Sequence, residues 1–104
     1  MATRPMRIRA TAKEGVTEIK VLMSHIMETG QRKDSNGQVV PAHFIQSVTV
    51  KLGDRTVLQA EWGPAVSRDP YLAFKVKGGE KGEKVAVTWV DNKGESRTDE
   101  TKVS

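Results

Sequence analysis

Two antiparallel β-sheets packed face to face are what this sequence predicts, on three observations. Apolar and polar residues alternate with a period of two along most of the chain, as in strands with one buried face. The alternating runs are short, and Gly, Asp, Asn or Pro separates them. No run requires a helix to bury its apolar residues. With 104 residues, 37% apolar and 29% charged, the chain reads as one soluble globular domain over 1–104. A chain of this size buries roughly two-thirds of its unfolded surface, enough for one modest core.

The elements follow in order. Met6, Ile8, Ala10 and Ala12 alternate with Arg7, Arg9, Thr11 and Lys13, and Glu14-Gly15 turns the chain. Ile19, Val21 and Met23 then alternate with Glu18, Lys20 and Leu22. Val48, Val50 and Leu52 form the apolar face of a third strand, and Gly53-Asp54 leads into a fourth, with Leu58, Ala60 and Trp62 on one face. Leu72, Phe74 and Val76 mark the fifth strand, and Val85, Val87 and Trp89 the sixth. Asp91-Asn92-Lys93-Gly94 is a hairpin signal, with Gly94 suited to the left-handed position. The polar run Glu95 to Val103 is expected as an edge strand. Seven short strands of this kind predict an all-β, immunoglobulin-like antiparallel β-sandwich without the disulfide of antibody domains, with Trp62 and Trp89 in its core.

Composition narrows the function. There is no cysteine, so no disulfide, thiolate metal site or thiol nucleophile comes from this chain. No apolar run approaches the roughly 20 residues of a membrane span, and Met1 to Gly15 holds no signal-peptide core. Taken alone, that predicts the cytoplasm. The net charge is +4 and the pI about 9.6. Lys and Arg are interspersed with acids from Arg4 to Lys102, and only five aromatics accompany them. This predicts a solvated basic surface with a mild attraction for anions, not a nucleic-acid groove and not a membrane surface. The glycine-rich Lys77 to Lys84 lacks the Gly-Lys-Ser/Thr ending of a phosphate loop and reads as a turn.

One segment stands apart. "SHIMETGQRKDSNGQVVPAHFI", Ser24 to Ile45, holds both histidines and has no clear period up to about Pro41. A metal centre here would need His25 and His43 plus carboxylates such as Glu28 or Asp34. A small metal-binding enzyme using His25 and His43 is therefore the alternative function. The spacing matches no metal motif, and no Gly-x-Ser-x-Gly elbow supports a triad of Ser24, His25 and Asp34. The expectation is no catalytic residue, no metal and no cofactor. Connections this long are commonly functional. A turn at Asp34 to Gly37 would let the segment fold back as a short hairpin. Its Ile26, Met27, Val39 and Val40 must be covered, and a partner chain is a reasonable cover.

The residues also carry a resemblance. "KVLMSHIMETGQRKDSNGQVVPAHFIQSV", Lys20 to Val48, is similar to the signature region of the SoxZ family. "PAVSRDPYLAF", Pro64 to Phe74, and the Thr-Trp-x-Asp-x-x-Gly hairpin at Thr88 to Gly94 match as well. The resemblance implies the small, non-catalytic subunit of a sulfur-carrier heterodimer in bacterial thiosulfate oxidation. It implies a SoxY-type partner whose C-terminal Gly-Gly-Cys-Gly-Gly tail bears covalent sulfur intermediates. Transient contacts with the thiosulfate-oxidising enzymes are implied as well. It implies a periplasmic location reached by co-export with the signal-bearing partner. The implied fold is an immunoglobulin-like sandwich related in shape to superoxide reductases. Those use four histidines and a cysteine on iron, so their activity does not carry over to a chain with two histidines and no cysteine.

For partner binding, Ile26, Met27 and Val40 offer adaptable apolar contact. Arg32 and Lys33 offer charge for the anionic adduct or an acidic enzyme patch, unless Arg32 pairs with Glu28 or Asp34 to shape the loop. His25 and Glu28 from the same segment and Tyr71 from the second matching piece complete the expected set. An isolated subunit with an uncovered apolar patch or edge strand is expected to form a homodimer.

Overall fold

The computed structural model describes residues 3–104, and among these it contains seven strands and no helix. They are β1 (Arg7–Lys13), β2 (Val16–Leu22), β3 (Ile45–Leu52), β4 (Arg55–Glu61), β5 (Tyr71–Lys77), β6 (Lys84–Asp91) and β7 (Ser96–Lys102). The expected strands are all present. They form a three-stranded sheet in the order β1-β2-β5 and a four-stranded sheet in the order β4-β3-β6-β7, every pair antiparallel.

The core lies between the sheets. The alternation puts Ala10, Ile19 and Val21 on one inner face and Val48, Val50, Leu52, Val85, Val87 and Trp89 on the other. Leu58 and Ala60 stand opposite Val50 and Val48 and share their inward face. Trp89 is fully buried as expected, and Trp62 packs at the rim of the core, half-buried. One fully buried hydroxyl, that of Thr17, donates to the Gly78 carbonyl at 2.7 Å. Gly79 beside it has φ +90°, and a Cβ there would overlap the Thr17 oxygen.

Two sides of the sandwich differ. On one, the chain end seals β1: Ala12 N–H donates to the Ser104 carbonyl and Ser104 N–H to that of Ala10, at 3.0 and 2.9 Å. On the other, β4 and β5 remain sheet edges. A bulge in β3 does further work. Ile45 pairs with Asp91 and Ser47 with Val90, so Gln46 is the extra residue. It loops outward, and Ile45 turns inward beside Asp91.

The charges are not spread as the sequence predicts. The strand register gathers them on the outer face of the small sheet. Its four rows are Arg7–Leu22–Tyr71, Arg9–Lys20–Ala73, Thr11–Glu18–Lys75 and Lys13–Val16–Lys77. Residues that alternate with acids along the chain become neighbours across strands, because the sheet sorts by parity and not by sequence distance.

Candidate functional site

The segment from Ser24 to Phe44 is not an open loop. It folds back on itself through bridges between Glu28 and His43 and between Lys33 and Val39, the short hairpin the Asp34–Gly37 turn allows. The Asp34 carboxylate accepts the N–H groups of Asn36 and Gln38 at 2.9 and 3.0 Å, which fixes the tip. Gly30 has φ +86°, and a Cβ there would lie 3.1 Å from that of Ala42 on the facing arm.

At the root of this hairpin both histidines point inward and meet one carboxylate. His25 Nε2 lies 3.1 Å and His43 Nε2 2.8 Å from the same oxygen, Asp91 Oδ2. The other oxygen, Oδ1, accepts the backbone N–H groups of Lys93 and Glu95 at 3.0 and 2.9 Å. Trp89 stands edge-on to His25, with ring centroids 5.1 Å apart. All four residues are buried. Burial works to raise the Asp91 pKa. The bonds from His25, His43, Glu95 and Lys93 outweigh it and hold the carboxyl below its ordinary value, so it is an anion at neutral pH.

The tautomers follow from the partners. His25 Nδ1 accepts the N–H of Met27 at 3.2 Å, so the proton sits on Nε2 and is donated to Asp91. His43 Nε2 donates to the same oxygen, and its Nδ1 has no hydrogen-bond partner. The His, His, Asp donor set is one a divalent metal would accept, with the three ligand atoms within 4.8 Å of one another. Its surroundings do not fit one. A histidine bound through Nε2 carries its proton on Nδ1 and gives it to an acceptor. Here His25 Nδ1 faces a donor and His43 Nδ1 faces nothing. The arrangement fits a hydrogen-bonded brace: one buried carboxylate holds two imidazoles and two backbone amides.

Further ties close the same end. Asn92 accepts the Phe44 N–H at 2.8 Å and donates to the Ala42 carbonyl at 2.9 Å. Asp69 accepts the His25 N–H at 3.0 Å and returns its own N–H to the His25 carbonyl at 2.9 Å. A cavity of about 230 Å³ opens beside the brace, lined among others by Arg4, Ile26, Arg68, Asp69 and Glu95.

The expected partner-binding residues fall into three groups. His25 and Met27 are buried, and the Met27 sulfur accepts the Ile45 N–H at 3.3 Å, so these two shape the loop from inside. Glu28 and Arg32 pair with each other, by contacts of 2.8 to 3.1 Å. The Arg32 guanidinium draws the Glu28 carboxyl below its ordinary pKa. Ile26, Lys33 and Tyr71 are exposed and Val40 is half-buried. Asp91 and Asn92 are site residues that the sequence reading left inside a turn, and Asp69 is one it carried only within the matching piece Pro64 to Phe74. The signal for Asp91 was parity: it shares the inward face of Val85, Val87 and Trp89, where only a polar residue with internal partners is stable.

The fold is shared with known structures. Two variants of superoxide reductase (neelaredoxin) from Archaeoglobus fulgidus, both in the reduced form, superpose with TM-scores of 0.61 and 0.60 at 19% identity. The match covers 98% of this chain and 90% and 87% of theirs. At that identity the likeness concerns the fold alone. No curated protein matches the chain. The family model described as "Sulphur oxidation protein SoxZ" matches residues 6–102. That stretch contains the brace, the hairpin it holds and all seven strands, and by it the chain belongs to the SoxZ family of sulphur oxidation proteins.

Proposed function

We propose that this chain is the non-catalytic subunit of a sulfur-carrier heterodimer. It binds a SoxY-type subunit, whose tail cysteine carries the covalent sulfur intermediates, and helps present that tail to thiosulfate-oxidising enzymes. The observation that carries the reading is family membership in a chain without a single cysteine. A sulfur-oxidation protein that lacks a thiolate needs another chain to hold sulfur covalently. The brace supports it as well. His25 Nδ1 is taken by the Met27 N–H and His43 Nδ1 is buried away from the surface, which disfavours either imidazole as a general base.

The surface suited to the stable partner is the end of the sandwich at the hairpin. Leu22 and Tyr71 stand side by side across β2 and β5, 40% and 61% exposed. Ile26 and Val39 are exposed on the hairpin. Together they supply the apolar centre, and Lys33 and Arg68 a polar rim. A periplasmic location follows if the partner carries the export signal. The test is to purify the chain with its SoxY-type partner and measure mass in solution. One heterodimer that Ile26→Asp with Tyr71→Asp dissociates is the expected result. Two separate monomers for the native pair would sink the reading.

A further inference from the structure

The outer face of the small sheet carries six cations, Arg7, Arg9, Lys13, Lys20, Lys75 and Lys77, against one acid, Glu18. Glu18 is itself engaged by Lys20 at 3.5 Å. This leaves 11 of the 17 basic and 12 of the 13 acidic residues for the rest of the chain, which is thus close to neutral. The whole charge excess of the molecule therefore lies on one face. The opposite outer face shows the contrast: rows such as Gln59–Thr49–Thr88–Thr98 are uncharged, and Lys84 there is paired with Glu100 at 3.1 Å.

We propose that this face, from the Arg9–Lys20–Ala73 row to the Lys13–Val16–Lys77 row and so beyond the Leu22–Tyr71 row offered to the stable partner, is an electrostatic docking surface for the acidic face of a second protein, engaged transiently. Unscreened like charges on adjacent strands destabilise a sheet, so gathering them has a cost that an anionic counter-surface would offset. Three strands of seven residues present a flat area of roughly 300 Å². That is well under the roughly 800 Å² per partner of a stable interface, and it suits a steered, short-lived encounter. A protein occupant is favoured over a nucleic acid by what interrupts the charge. Ala73 and Val16 lie among the cations, and the sheet's one outward aromatic, Tyr71, belongs to the row offered to the stable partner, whereas a strand-binding platform stacks bases on several aromatic rings. The proposal rests on the carrier reading only through its assay.

The test uses the assembled heterodimer and the purified thiosulfate-oxidising enzymes that act on it. The second-order rate of turnover should fall at least tenfold between about 20 and 300 mM salt. The triple variant Arg9→Glu, Lys20→Glu, Lys75→Glu should lose at least fivefold of the low-salt rate and most of the salt dependence. It should still form the heterodimer and remain folded at the assay temperature, which its melting curve checks. Lys51→Glu, Lys84→Glu, Lys102→Glu makes the same change in net charge on the opposite sheet and should keep the native rate. A flat salt profile for the native complex overturns the proposal without any variant. Equal loss in both triple variants overturns it in favour of net charge alone. Loss of the heterodimer in the first variant assigns the face to the stable interface. Retention of the native complex on duplex DNA or anionic vesicles, abolished in the first variant while turnover is unchanged, replaces the protein occupant. If the native heterodimer never forms, the carrier reading fails first, and does so visibly in the mass measurement.

Discussion

Asp91 is the residue on which the site depends, since one buried carboxylate satisfies four donors, two of them buried imidazoles. Replacing it by Ala strands all four, and a loss on the order of 3–5 kcal/mol in chemical denaturation is the expected outcome. Its pH dependence has a definite sign. The folded-state pKa lies below the ordinary 3.8, so the stability it contributes is full above that value and lost as the pH falls through the folded pKa. Asp91→Asn should therefore be less stable at pH 7 and lose less on acidification from pH 7 to 3, measured by urea midpoints. Arg32 behaves differently. Its pairing with Glu28 is exposed, and exposed pairs add little to stability. Arg32→Ala should leave the urea midpoint where it is and register, if anywhere, in affinity for the partner.

At the scale of the element, the hairpin from Ser24 to Phe44 and the β6–β7 turn form one unit held by Asn92. Asn92→Ala removes two hydrogen bonds to the hairpin, at an expected cost of about 1–2 kcal/mol. Amide exchange should quicken at Phe44 and Glu28 and stay slow at Val87. Gly79→Ala tests the far end. It combines a positive φ with overlap on a buried hydroxyl and should destabilise by about 1–3 kcal/mol. The strands themselves were legible in the sequence, because period two is a local signal and each strand here keeps it. The hairpin's turn was legible for the same reason. The brace was not, because its members sit at 25, 43 and 91, and nothing local says that three separate turns share one end of a sandwich. Met27 misleads in a similar way. An apolar residue in an aperiodic stretch reads as surface, whereas the fold-back of the hairpin carries it into the core.

The whole molecule is elongated, with extents of 54 × 21 × 18 Å and a radius of gyration of 15.5 Å, against about 13 Å for a compact domain of this length. Its accessible surface is 6748 Å², where a compact monomer of 11.5 kDa exposes roughly 5,800 Å². A molecule with that much surface, an apolar end and one open pair of edges is suited to bury some of it in a complex. Association with the proposed partner should therefore raise the melting temperature of this chain with the logarithm of the ratio of free partner to dissociation constant, and calorimetry of the mixture measures it. The brace adds a constraint in time. Its carboxylate comes 66 residues after the first imidazole it holds. During synthesis at roughly 5–20 residues per second, the hairpin waits several seconds for the turn that locks it. The apolar end thus acquires its final shape only after Asp91 has been made, and a shorter nascent chain lacks the surface proposed for the partner. Under the proposed heterodimer, pairing is then a meeting of folded chains.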